Sequence, residues 1–171
     1  LECARKRLEP YGDRVRLAHC RISELSRLLR KLRIGRPVGF LFDFGASSMQ
    51  LDTPSRGFSF QADGPLDMRM DASRVRTAAD VVNTWDEGDL ADLFYHEGGE
   101  RRSRAIAAEI VRCRRRASFQ RTGALAELIA RVVGRAGRIH PATRVFQALR
   151  RAVNEEGEEL LAGLETAEHW L

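Results

Sequence analysis

The first third of the chain alternates between two spacings of apolar residues. Residues 1–8 and 23–31 repeat them at helical spacing, whereas residues 15–19 and 38–44 are short apolar runs bounded by turn-forming and charged residues. Runs of that kind are typical of buried strands. A strand, a helix and a second strand in this order form a βαβ unit with a right-handed crossover. The pattern therefore predicts an α/β fold for this part.

The middle and the end of the chain carry helical patterns without strands. The spacing predicts helices over residues 78–84, 86–98, 100–116, 122–133, 141–153 and 160–171. Pro141 suits the first turn of its helix, and Gly157 and Gly163 weaken the stretch that follows. The middle part is therefore predicted to be a helical insertion in the α/β fold.

These patterns divide the chain into three predicted parts. Residues 1–54 belong to an α/β core, residues 55–138 form a helical insertion, and residues 139–171 return to the core. Two parallel strands do not make a stable sheet alone. Because a helical pattern already runs at Leu1 and no strand follows the last helix, we expect the chain to be cut at both ends.

The polar segment after the second apolar run differs in composition from a linker. All three methionines and five aspartates lie from residue 43 to residue 71. In open parallel sheets, ligands bind just beyond the carboxyl ends of the strands. We therefore interpret this segment as a loop that lines a ligand site.

Four strings of residues carry a resemblance to a known family. They are residues 43–52 (DFGASSMQLD), 56–60 (RGFSF), 63–71 (DGPLDMRMD) and 139–150 (IHPATRVFQALR). The chain resembles, over nearly its whole length, the MraW type of ribosomal RNA methyltransferase, which modifies the exocyclic amine of a cytosine in the small subunit. Residues 47–54 look most like the mitochondrial branch, which implies a mitochondrial location, with the bacterial cytoplasm as the alternative.

The resemblance implies a fold, a cofactor and a partner. The fold would be a partial doubly wound, Rossmann-like methyltransferase sheet with a helical insertion domain over residues 55–138 for substrate recognition. S-adenosyl-L-methionine would be the methyl donor and small-subunit ribosomal RNA the substrate, with no metal. The chain has no Gly-rich cofactor loop. The alternative is therefore a catalytically silent RNA-binding or ribosome-assembly factor, and a small-molecule methyltransferase is a more distant one.

The resemblance also assigns residues to the cofactor site. In the similar family an aspartate and the glutamine seven positions later contact the cofactor, and here these are Asp43 and Gln50. A third contact, normally aromatic, falls at Ile22. Asp43 is also the predicted catalytic residue, because a carboxylate could accept the amine proton; the alternative is that it caps the loop. Ser47 and Ser48 could bind the target base.

Two further segments of the chain are predicted to contact the RNA. Arg69 could bind a phosphate while Asp67 orders the loop; the alternative is a surface turn in which methionine fills a gap. His140 and Arg144 lie where a helix begins, a natural anion site, although ordinary helix capping explains them equally well.

Charge and cysteine content add little more. The chain has a net charge of +5 and 29 basic residues, of which only Lys6 and Lys31 are lysines. This balance suits a nucleic-acid partner, but GC-rich coding also favours arginine. The densest cluster of positive charge is either a solvated helix face or a surface that binds ribosomal RNA. Its members are Arg101, Arg102, Arg104, Arg112, Arg114, Arg115, Arg116 and Arg121. Three widely spaced cysteines suggest a reducing compartment and no zinc site.

Overall fold

The structure is a computed structural model that describes residues 1–134 and 139–171. The described residues fall into two compact units, unit 1 (residues 1–43 and 157–171) and unit 2 (residues 44–156). The α-helices of the described residues are α1 (Glu2–Leu8), α2 (Leu25–Lys31), α3 (Ser48–Leu51), α4 (Ala78–Thr84), α5 (Glu87–His96), α6 (Ser103–Arg114), α7 (Thr122–Val133), α8 (Ala142–Asn154) and α9 (Glu156–Trp170). Short 3₁₀ segments cover Glu9–Arg14, Ile22–Glu24 and Pro54–Arg56.

Polar contacts hold α9 to the start of α2 in unit 1. The backbone N–H and the hydroxyl of Ser23 each donate to Glu159 at 2.9 Å, and Arg21 Nε donates to the same carboxylate at 2.7 Å. At the other end of α9, Trp170 Nε1 donates to Ser26 Oγ at 3.0 Å. Glu159 is therefore a buried acid whose charge is matched by a cation and two further donors.

Neither predicted strand is formed as a strand, and the described residues contain no sheet beyond one isolated bridge between Pro65 and Arg121. Residues 39–44 nevertheless alternate in burial as a strand does, with the odd-numbered positions exposed and the even-numbered positions half-buried. The half-buried rings of Phe40 and Phe42 stack 5.9 Å apart, whereas Leu41 between them is fully exposed. A strand needs a neighbour that accepts and donates its ladder hydrogen bonds. No such neighbour is present in the described residues, so the predicted sheet is not observed.

The apolar core of unit 2 lies among α4, α5, α6, α7 and α8. The apolar side chains of α8 at Val145, Phe146, Leu149 and Val153 are all buried, as the helical spacing predicts. Helices α4 and α7 have the predicted bounds. At α4 the reason is local, because the Thr77 hydroxyl accepts from the Asp80 N–H and the Asp80 carboxylate accepts from the Thr77 N–H. This capping box defines where α4 begins.

The two units have different bounds from the three predicted parts. Residues 44–54 and 139–154 lie in unit 2, because α8 packs on α4, α5 and α7 of the insertion. The predicted boundary at residue 138 lies outside the described residues, and the three-part division stays a prediction. Within the described residues, no helix is both long enough and apolar enough to cross a membrane.

Candidate functional site

Asp43 is an exposed residue at the end of unit 1. Within the described residues, no hydrogen-bond donor or cation contacts its carboxylate. A carboxylate that caps a loop accepts hydrogen bonds from nearby backbone N–H groups, so the structure provides no contact in support of that alternative. The oxygens of Asp43 are open to a ligand.

Ile22 lies close to the residue that precedes Asp43. A Cβ atom placed on Gly163 of α9 would be only 2.9 Å from Ile22 Cγ2 and 3.3 Å from Phe42 Cζ. These three residues therefore meet in unit 1, and glycine is what allows α9 to approach. Ile22 offers an aliphatic surface here, and it cannot stack on a ring as an aromatic residue would.

Gln50 and Ser47 form a capping box at the start of α3. The Ser47 N–H donates to Gln50 Oε1 at 2.8 Å, and the Gln50 N–H donates to Ser47 Oγ at 3.3 Å. Because the carbonyl oxygen of the Gln50 side chain is used in this way, its NH₂ group points elsewhere, and no acceptor contacts that group in the described part of the chain. The adjacent Ser48 is exposed. Gln50 thus keeps two donors, and Ser48 a hydroxyl, for a ligand.

Asp67 and Arg69 form a paired unit inside their own loop. Arg69 Nε donates to Asp67 Oδ1 and Arg69 Nη2 to Asp67 Oδ2, both at 2.7 Å. Arg69 Nη1 also donates to the carbonyl oxygens of Ala72, at 3.0 Å, and Arg74. The Arg69 hydrogen bonds lower the pKa of Asp67, against the opposing effect of burial. Arg69 would have to exchange some of these bonds to bind a phosphate, and its contact with RNA stays a prediction.

Asn154, which sequence reasoning missed, holds the same loop from α8. Its side-chain NH₂ donates to Met68 O at 2.8 Å, and its Oδ1 accepts from the Met70 N–H at 2.8 Å. Met68 is fully buried and has φ of 62°, a conformation that L-residues seldom adopt. The methionine–arginine–methionine turn is therefore held in a strained shape by a residue 84 positions from Met70.

Asp63 is a second residue with a role that the sequence does not indicate. Its Oδ1 accepts from the Gly123 N–H at 2.9 Å at the start of α7, and Arg121 pairs with Oδ2 at 2.5 Å. The Gly123 hydrogen bond, followed by that of Arg121, lowers the pKa of Asp63. Asp63 thus caps a helix that begins far away in sequence.

His140 is placed as a helix cap and as the wall of a cavity. Its Nδ1 accepts from the Ala142 N–H at 3.1 Å at the start of α8, and its ring lies 4.6 Å from that of Phe60. Both rings line a cavity of about 470 Å³. Arg144 is exposed and donates to Gly99 O at 3.3 Å. Because His140 itself satisfies one of the first N–H groups of α8, fewer donors remain there for an anion.

The arginine run from Arg101 to Arg121 divides into two groups. Arg114 donates to Val82 O at 2.9 Å and to Trp85 O at 2.7 Å, and Arg112 pairs with Glu109. The Arg112 hydrogen bond is the main reason that the pKa of Glu109 falls to about 2. Arg102 and Arg121 also have partners, Val133 O and Asp63. Four side chains are exposed or half-exposed and contact no partner in the described residues: Arg101, Arg104, Arg115 and Arg116.

The titratable side chains do not gather into a metal centre. Within residues 1–134 and 139–171, no group of three or more His, Cys, Asp or Glu side chains could hold a metal ion.

Comparison with known proteins gives one consistent family. The model of the MraW methylase family matches residues 1–171. The protein named ribosomal RNA small subunit methyltransferase H from Beijerinckia indica is 58% identical over 156 residues, which are 91% of this chain and 44% of that protein. The protein of the same name from Methylobacterium sp. is 52% identical, and the match covers 94% of this chain and 48% of that protein. The one from Cyanothece sp. is 49% identical, and the match covers 100% of this chain and 56% of that protein. The chain thus spans about half the length of the curated relatives it matches.

The predicted mitochondrial location is wrong. The relatives that are about half identical to this chain are bacterial proteins. The likeness of residues 47–54 to the mitochondrial branch therefore does not indicate the compartment. The alternative prediction, the bacterial cytoplasm, agrees better with these relatives.

Proposed function

This chain belongs to the MraW methylase family, and we propose that it serves in an S-adenosylmethionine-dependent methyltransferase that acts on the exocyclic amine of a cytosine in small-subunit ribosomal RNA. The observation that carries the proposal is the family match over all 171 residues, together with 58% identity to a protein named as a ribosomal RNA small subunit methyltransferase. The bacterial cytoplasm is the compartment that fits this proposal.

Asp43, Gln50 and Ile22 each have the chemistry that one part of the cofactor needs. S-adenosylmethionine, when bound, supplies an electrophilic methyl group on a sulfonium. Its hydroxyl and amino groups need acceptors, which the open carboxylate of Asp43 provides, and its carboxylate and ring nitrogens need donors, which the NH₂ group of Gln50 provides. Ile22 offers an aliphatic surface for the adenine.

The chemistry of the target explains the need for Asp43. The lone pair of a cytosine amine is delocalised into the ring, so the nitrogen is a weak nucleophile that must be held in line with the methyl carbon. Such positioning is worth several kcal/mol. As the new C–N bond forms and the C–S bond breaks, the nitrogen becomes more acidic and its proton needs an acceptor. The Asp43 carboxylate can accept that proton, while Ser47 and Ser48 orient the base.

The proposed fold pairs residues 15–19 and 38–44 with further strands in a doubly wound sheet. The alternation of burial along residues 39–44 supports this, because one set of side chains is partly covered and the other is exposed. The division into a core over residues 1–54, an insertion over residues 55–138 and a returning segment over residues 139–171 belongs to the same proposal.

The insertion is proposed to bind the RNA. Arg112 and Arg114 are engaged within the protein. The arginines that contact no partner in the described residues are available for phosphates: Arg101, Arg104, Arg115 and Arg116. Binding by arginine releases counterions from RNA and is therefore weakened by salt. Asp67, Arg69, His140 and Arg144 remain proposed RNA contacts, of which Arg69 and His140 also have internal roles.

The test is methyl transfer to small-subunit RNA by the whole protein, with Asp43→Asn and Asp52→Asn compared. Asp52 is an exposed aspartate directly after α3 and serves as the matched control. We expect Asp43→Asn to remove most turnover without a change in melting temperature, and Asp52→Asn to change neither. Retained turnover with a lower melting temperature would make Asp43 a loop cap. RNA binding without methyl transfer by the unaltered protein would favour the silent assembly factor.

A further inference from the structure

A cavity of about 650 Å³ lies between the end of α5 and the beginning of α6. This volume is within the about 300–1,000 Å³ of typical small-molecule sites. Its lining side chains are Asp92, Tyr95 and His96 from α5, and Arg101, Arg102, Ser103, Arg104 and Ala105 from α6 and the loop before it. None of these residues belongs to the strings that carry the family resemblance, so the cavity adds a site to those considered above.

The α6 side of the cavity is a group of cations. Arg102 is tied to α7 through its bond to Val133 O, at 3.3 Å, whereas Arg101 and Arg104 contact no partner in the described residues. The start of α6 already has an internal carboxylate, because the nearly buried Glu100 accepts from the Arg102 N–H at 2.8 Å. The affinity for an anion therefore comes from the guanidinium groups and not from the helix end.

The α5 side of the cavity presents an aromatic ring and one acid. Tyr95 is 54% exposed, and its ring packs edge-on against His96 with the ring centres 5.1 Å apart. An exposed aromatic face beside arginines is the arrangement that binds a single-stranded nucleotide, with the base on the ring and the phosphate on the cations. Asp92 disfavours a phosphate on this side and can accept a hydrogen bond from a base amino group.

We infer that this cavity holds one unpaired nucleotide of the RNA, with its base stacked on Tyr95 and its phosphate bound by Arg101 and Arg104. The inference rests on the proposed function, since it takes the substrate to be RNA. It specifies a stacking contact and places it on α5, whereas the methylated base is proposed to bind at Asp43, Ser47 and Ser48. The nucleotide bound in the cavity is therefore a different nucleotide from the target.

The test measures binding of this chain to two fluorescein-labelled pentamers by anisotropy. One is pentacytidylate, and the other is a ribose phosphate pentamer without bases. Tyr95→Ala should weaken pentacytidylate binding about 10-fold, the usual size of one stacking contact, and should leave the abasic pentamer unchanged. Tyr95→Phe should restore the affinity. Tyr11→Ala is the matched control, because Tyr11 is 51% exposed and lies in unit 1.

The phosphate contacts are tested by the salt dependence. Arg101→Gln with Arg104→Gln should weaken both pentamers and reduce the log–log salt slope by about 1.4, or 0.7 for each contact to a single strand. Arg27→Gln with Arg30→Gln, which removes two exposed arginines from α2, should leave the slope unchanged.

Several results would overturn the inference. These are the absence of pentamer binding, an equal effect of Tyr95→Ala on both pentamers, or equally tight displacement of pentacytidylate by hexaglutamate, which would indicate an acidic peptide instead. Methyl transfer by the whole protein separates the two proposals. If methyl transfer is retained but the variants do not change pentamer binding, only nucleotide binding in the cavity is rejected. If the variants change pentamer binding as expected but the whole protein transfers no methyl group, only the methyltransferase proposal is rejected.

Discussion

Unit 2 and unit 1 differ in what they bury. Every buried apolar side chain of the described residues lies from Phe58 to Val153, in unit 2. The buried residues of unit 1 are Glu159, Gly163 and Thr166, and its apolar run exposes Val38 and Leu41 fully. Helices bond their own backbone and need only a partner for one apolar face, whereas a strand also needs a partner for its backbone. A unit built of helices can therefore close an apolar core from a short stretch of chain, whereas a sheet needs several strands.

The largest expected effect comes from truncating one leucine in each unit, a buried one in unit 2 and an exposed one in unit 1. Leu149→Ala in α8 deletes a fully buried side chain and should lower the free energy of unfolding by about 2–5 kcal/mol. Leu161→Ala in α9, where the side chain is 62% exposed, should change it by less than about 0.5 kcal/mol. Urea unfolding of the two variants measures both values. Equal losses would mean that unit 1 has an apolar core of its own.

A second comparison of the two units replaces one glycine in each unit by alanine. A Cβ atom on Gly64 would lie 1.9 Å from Pro54 O, a backbone atom that cannot move aside. Gly64→Ala should therefore cost about 3 kcal/mol through overpacking. On Gly163 the nearest atoms belong to side chains of Ile22 and Phe42, so Gly163→Ala should cost about 1 kcal/mol or less. Thermal unfolding distinguishes them, and a larger loss at Gly163 would show that unit 1 is the more tightly packed.

Asn154→Ala tests whether unit 2 also depends on polar contacts. The change leaves the Met68 carbonyl and the Met70 N–H without their partner, and about 1–3 kcal/mol should be lost. Gln147→Ala, an exposed position on the same helix, is the control and should have little effect. Hydrogen exchange of the Met70 amide gives a local measurement, because it should accelerate only in Asn154→Ala. Unchanged exchange would assign the turn to other contacts.

The smallest expected effect is a dependence on acid. The pKa of Asp67 is lowered in the folded state by Arg69, so its contribution to stability is complete above the unfolded aspartate pKa of about 3.9 and is lost as the pH falls through the lower folded value. Asp67→Asn should therefore reduce the loss of stability between pH 5 and pH 2. Asp52→Asn, at an exposed aspartate of the same unit, should not. Unfolding midpoints of both variants and of the unaltered protein between pH 5 and pH 2 measure this difference, and the same loss in all three would contradict the prediction.

The sequence could predict those elements whose bonds are local. Helix α4 follows from Thr77 and the aspartate three residues on, and the bounds of α7 follow from its apolar spacing. The strings that resemble the methyltransferase family could also be read directly, and the family is confirmed. The roles of Asp63 and Asn154 could not be predicted, because their partners lie 58 or more positions away along the chain.

What the sequence determined by itself is most of the helices of the described residues, the family and the richness in arginine; the short helix α3 was not predicted. What only the tertiary structure decided is which of these arginines are already engaged, since Arg114 meets Val82 O and Trp85 O only after α4 and α6 pack together. It also decided that Tyr95 lies beside Arg101 and Arg104 in one cavity. The physical reason is range: a helix is stabilised by bonds across four residues, whereas a site is formed by side chains that packing alone brings together.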